Sequence, residues 1–167
     1  MIKKLTLVST LLVLMLAVSG CTDSPVDGED IVLPEGYEYL GSPPMSVEDV
    51  KEDYVSIDGI VGASESLYKY SDVDLYIDMI ELESSDIAEE FIVQYKAEFK
   101  QMTAGSRFTE VSFNDHPATV IQEHVTVGAE QVPRYTYIWA NGNFVYVVGG
   151  NTDDSEILKG LAESTGF

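Results

Sequence analysis

The chain has 167 residues, enough for one domain with a core of its own, and its 45% hydrophobic and 10% aromatic content excludes a disordered polymer. Its 29 acidic residues against nine basic ones give a net charge of −20, which repels phosphate backbones and excludes nucleic acid as a natural partner. The single cysteine, Cys21, rules out an internal disulfide and any cysteine-based metal cluster.

The first 21 residues divide into three parts. Lys3 and Lys4 supply a short positive segment, Leu5 to Val18 an apolar run, and Val18-Ser19-Gly20-Cys21 a close of small residues before a thiol. The apolar run falls short of the roughly 20 residues that a spanning helix needs, so it reads as an export signal. Small residues fit the scissile backbone into a narrow peptidase site, and the thiol accepts lipid. This stretch resembles the lipobox of prokaryotic lipoproteins, which implies a signal peptide over 1–20, cleavage between Gly20 and Cys21, and lipidation of Cys21. Cleavage leaves seven basic residues against 29 acidic ones, a charge of −22. The competing reading is an ordinary signal peptide cut elsewhere, or an uncleaved anchor helix.

Residues 21–45 read as the lipid-anchored cysteine followed by a flexible acidic tether, with a first short strand near Tyr37 to Leu40 and a break at Pro43-Pro44. The globular domain is placed at 46–167. Ser46-Val-Glu-Asp49 has the form of a capping box and predicts a short helix over about 47–53. Tyr54 to Gly62 and Ser66 to Tyr70 read as short strands. Val73 to Leu82 is a stronger one, with Val73, Leu75, Ile77 and Met79 on one face. Ile80 and Leu82 fall on the other, which predicts a bulge or burial on both sides.

Ile87, Phe91, Tyr95 and Phe99 recur every four residues behind a Ser85 cap, with Lys96 and Lys100 late and Gly105 beyond; this is the long helix. Strands follow at Arg107 to Phe113, Ala118 to Val127, Arg134 to Ala140 and Asn143 to Val148, the last two joined by an Asn141-Gly142 turn. Asp153 to Ser164 closes the chain as a short helix. The fold expected is α+β: a single antiparallel β-sheet with one long and one short helix packed on it.

The last hairpin puts Tyr135, Tyr137 and Trp139 on the same face as Phe144 and Tyr146, a candidate binding face because such rings stack on a ligand and still hydrogen-bond. The competing reading is that this stripe is core, covered by the long helix or by other segments. His116 and His124 lack metal-ligand spacing. Asn151, Asp153 and Asp154 read as a helix cap in preference to a calcium loop, and Asp72, Asp74 and Asp78 as a solvated acidic face. No serine-nucleophile elbow and no phosphate-binding glycine loop occurs, so no catalytic residue, metal or cofactor is assigned.

Gly59-Ile-Val-Gly-Ala63, Asn114-Asp-His-Pro-Ala-Thr119, Pro133-Arg-Tyr-Thr-Tyr-Ile-Trp139 and Asn141-Gly-Asn-Phe144 resemble stretches of uncharacterised lipoproteins from archaea, methanogens in particular. That resemblance spans about residues 50–167 and implies no activity. The order of elements is also similar to the PsbP/Mog1-type sandwich, a likeness of architecture that does not carry function. The function expected is a membrane-anchored extracytoplasmic lipoprotein acting as a non-catalytic binding or accessory domain for a protein partner or small ligand. A carboxylate-using hydrolase and a structural envelope protein are the alternatives.

Overall fold

The computed structural model of the chain describes residues 31–102 and 105–167, so the expected leader, Cys21 and the segment 22–30 lie outside the described residues. Strand β3 (Val73–Leu82) explains the rest of the architecture. Leu75, Ile77 and Met79 alternate onto one face, Tyr76, Ile80 and Leu82 onto the other, and both sets pack into hydrophobic core. A strand apolar on both faces needs cover on both. The phase slip in its sequence is burial on two sides, because its pairing with β2 (Ile60–Tyr70) runs unbroken from Gly62↔Glu81 to Tyr70↔Val73.

The sheet has seven strands in the order β1-β2-β3-β7-β6-β5-β4, with every neighbouring pair antiparallel. β1 spans Tyr37–Gly41, β4 Phe108–Phe113, β5 His116–Val127, β6 Glu130–Asn141 and β7 Phe144–Gly150. Helix α2 (Ser85–Glu98) carries the chain from central β3 to the far edge, and the meander β4 to β7 brings it back to pair with β3. The other helices are α1 (Val47–Asp53) and α3 (Ser155–Ser164).

The expectation of one long and one short helix is therefore corrected: among the described residues the α+β fold has three helices on its single sheet. The additional element is α1, whose capping box is complete, with Ser46 and Asp49 satisfying each other's backbone N–H. The capping box predicts this helix, but seven residues offer too few apolar positions to show that it packs on the sheet, which the fully buried Val50 does. The domain boundary moves as well. β1 pairs with β2, and Ile31 and Leu33 pack on the core, so the folded unit includes residues expected to be tether.

Two further details differ from the sequence reading. Ser84, not Ser85, caps α2 by accepting from the Ile87 N–H, and Phe99 lies just past the helix end. The β6–β7 turn is Gly142-Asn143, with Asn141 paired to Phe144 and the positive φ at Gly142. Glycine at the first central position is what a type II′ hairpin requires. The register slides by two residues, which leaves each side chain on its expected face.

Candidate functional site

The face on which the hairpin aromatics lie decides what they can do. Tyr137, Trp139, Tyr146 and Val148 lie beneath α3, against Leu158, Leu161 and Ala162, with Phe167 and Ile31 closing the edge. Trp139 is 1% exposed, stacks on Tyr146 at 5.2 Å and meets the edge of Phe113 at 5.1 Å. The candidate binding face is thus core, half-buried Tyr135 and Phe144 forming its margin. The cover is the short helix and a chain-terminal ring, while the long helix packs on the opposite face. A small helix with Leu158 and Leu161 at its centre suffices because the rings fill most of the layer themselves.

The remaining sequence candidates disperse. His116 opens β5 opposite Phe113, across the left-handed pair Asn114-Asp115, and His124 is exposed on the β5–β6 hairpin. Asp154 caps α3 through the Glu156 N–H, and Asn151 accepts from Arg134. No group of three metal-ligating side chains exists among the described residues.

Asp72, Asp74 and Asp78 share strand parity but not environment. Asp72 and Asp74 are exposed near the β2–β3 turn, whereas Asp78 lies under the helices and is 4% exposed. Its row on the sheet runs from Glu65 on β2 through Asp78 to Val147 on β7. The Tyr54 hydroxyl, at the end of α1, donates to Asp78 Oδ2 in a very short hydrogen bond, and Oδ1 has no hydrogen-bond partner among the described residues.

Tyr95 from α2 meets the Tyr54 ring edge-on at 5.2 Å, with Phe91 beyond. Tyr76, next on the same face, reaches Thr136 across Gly149; a Cβ on that glycine would stand 2.3 Å from the Tyr76 hydroxyl. Glycine is needed there so that the phenol can cross the strand.

The electrostatics follow from burial. Loss of water pushes the Asp78 carboxyl up to about 7; the Tyr54 bond works the other way, and Glu65 and Asp53 add to the rise. Burial also raises the Tyr54, Tyr76 and Tyr95 phenols, Tyr95 to about 12, so all three remain donors at neutral pH. Asp78 belongs to none of the three ion pairs among the described residues. The arrangement is a carboxyl that gains or loses one proton near neutrality while fastening α1 to the sheet. At 4% exposure it has no route to a substrate. The sequence showed that Asp78 has the parity of Ile80 and Leu82, but exposed Asp72 and Asp74 share it, so parity alone did not reveal the burial.

Beside this cluster, Leu67, Asp74, Tyr76, Arg134 and Asn151 line an open depression of about 440 Å³ where the helical cover ends. On the other side, Lys96 of α2 bonds Glu110 at 2.9 Å and Thr119 at 3.3 Å, tying the helix to β4 and β5.

No known protein family, curated protein or solved structure matches this chain.

Proposed function

We propose that the chain is a membrane-anchored extracytoplasmic lipoprotein, lipidated on Cys21, that acts as a non-catalytic binding or accessory domain. The observation that carries the reading is the order Lys3-Lys4, apolar Leu5 to Val18, then Val18-Ser19-Gly20-Cys21. Two acyl signals or more give stable anchoring where one is marginal. The folded unit includes Ile31, ten residues beyond Cys21, and ten residues reach at most about 35 Å. The domain would work within that distance of the bilayer. Sealing of Asp78 from solvent favours binding over carboxylate chemistry, because a general acid must touch its substrate.

The test is fractionation of the full chain in a host with a lipoprotein pathway. The wild type is expected in the membrane fraction with a lipid-modified Cys21 at its N-terminus, and Cys21→Ser is expected in the soluble extracytoplasmic fraction. A chain beginning at Met1 without lipid, or unchanged membrane recovery of the serine variant, refutes the reading.

A further inference from the structure

The β5–β6 hairpin outgrows the sheet. β4 pairs with β5 only as far as Ile121, with one further bond from Gln122 N–H to the Arg107 carbonyl, and β7 pairs with β6 only from Tyr137 onward. From Glu123↔Arg134 to Val127↔Glu130, five residue pairs have only each other as ladder partners among the described residues, while side chains at the base reach outward, Glu123 to Arg107 at 3.7 Å and Arg134 to Asn151 at 3.0 Å. They form an arm of about 17 Å at the usual rise per residue. Its α2-side face carries Val125, 39% exposed, and Val127, 53% exposed, with half-buried Val132 opposite Val125.

The two edges of the arm are not equivalent. The Gln122 bond to Arg107 shows that the even-numbered residues of β5 turn their N–H and C=O away from β6. Beyond it, His124 and Thr126 turn theirs to the open edge, where no described residue pairs with them. On β6 the pairing of Asn141 with Phe144 fixes the odd-numbered residues as those facing outward. One of these is Pro133, which has no N–H to offer. Proline on an edge is a common block to strand addition. The β6 edge is blocked in this way and the β5 edge is not.

We propose that the outer edge of β5 at His124 and Thr126 receives an extended, cationic segment of a partner protein, added as a strand beside the Val125–Val127 row. Main-chain bonds at two residues give the docking its direction, and alternate apolar side chains of the segment cover the valines. The charge of the chain selects the occupant. At −20, a second copy is repelled, whereas a segment rich in lysine or arginine is drawn in over a range set by salt. On the same face Glu130 lies beside Val127 and belongs to none of the ion pairs among the described residues, while Glu123, at the base of the arm, pairs with Arg107 at 3.7 Å opposite Arg134. The proposal deepens the reading of a binding domain by naming its surface, and it does not depend on where the chain is anchored.

The test uses the full mature chain in detergent and two synthetic decapeptides. One alternates valine and lysine; the other carries the same lysines with proline in place of each valine, so its charge is equal but it cannot form a strand. The Val-Lys peptide is expected to bind at least tenfold more tightly by fluorescence anisotropy. On binding, it should slow hydrogen exchange at the His124 and Thr126 amides of the wild type. Thr126→Pro removes an outward N–H and leaves the β5–β6 ladder intact, so binding should fall at least tenfold. Gln131→Pro does the same to the opposite edge, and both substitutions break the Thr126–Gln131 side-chain bond; binding by this variant should stay within twofold of wild type. Equal binding of the two peptides, equal loss in both variants or unchanged amide exchange overturns the proposal. So does self-association abolished by Thr126→Pro, which would give the edge to a second copy.

Discussion

Both faces of the sheet bury a hydrophobic core, and they do so by different means. Under α3 the layer is rich in rings, with Phe113 against Tyr137 and Trp139, Trp139 stacked on Tyr146, and no carboxylate or cation within the buried set. Under α1 and α2 the layer is mostly aliphatic but encloses Asp78, Tyr54, Tyr76 and Tyr95. The first face is held by shape and dispersion, which do not respond to pH. The second depends on one proton, because an ionised Asp78 would keep an unpartnered oxygen out of water. A single sheet thus has an inert side and a titrating side.

The largest effect should come from breaking the inert side. Trp139→Ala removes the ring that stacks on Tyr146 and meets Phe113, and is expected to cost about 3–5 kcal/mol in denaturant unfolding, by the same amount at pH 5 and pH 8. A cost that changes with pH would erase the distinction between the faces.

The titrating side is read by the pH profile of stability. Asp78 has its folded-state pKa raised from 3.8 to about 7, so between those values the native state binds more protons than the unfolded one. Its contribution is full below about pH 4, declines as pH rises, and is gone once pH passes about 7. Groups facing it from each packed element are Asp53 and Tyr54 of α1 and its cap, Glu65 of β2, Tyr76 of β3 and Tyr95 of α2. None is cationic. The difference in stability between wild type and Asp78→Asn should shift by roughly 3 kcal/mol between pH 4 and pH 8, in favour of the variant at the higher pH. Parallel profiles would show Asp78 to be solvated.

A smaller effect sharpens the same point. Tyr54→Phe keeps the ring contacts with Phe91 and Tyr95 and deletes the donor to Asp78. It should cost about 1–2 kcal/mol, more at pH 8 than at pH 5, because a bond to a charged acceptor is the stronger one. It should also raise the Asp78 midpoint further, visible in the carboxyl chemical shift.

Much of the architecture was legible in the residues. The four-residue apolar repeat of α2, the alternation of β3 and the turn glycine of the last hairpin each reflect a local period or a backbone demand. The capping box showed α1 but not that it packs on the sheet, since it contributes one fully buried residue and its place is set by what it covers. Register and topology were beyond reach for another reason. β3 and β7 meet across more than 60 residues of chain, and nothing near either strand names the other.

The candidate site divides in the same way. The sequence shows that Tyr137, Trp139 and Tyr146 share a face, because side-chain parity is local. It does not show which helix lies there, and α3 made that face core. It grouped Asp78 with Asp72 and Asp74 by spacing, and only the packing of α1 and α2 separates a buried acid from two solvated ones.

By itself, then, the sequence determined the periods, the caps and turns, the excess of negative charge and the segment that reads as a lipid-anchor signal, all properties of neighbouring residues or of composition. Tertiary structure alone decided which apolar face receives which helix, where a carboxyl loses its water, and which strand edge ends without a partner. Those are consequences of what meets across the sheet, and burial, not residue identity, sets their chemistry.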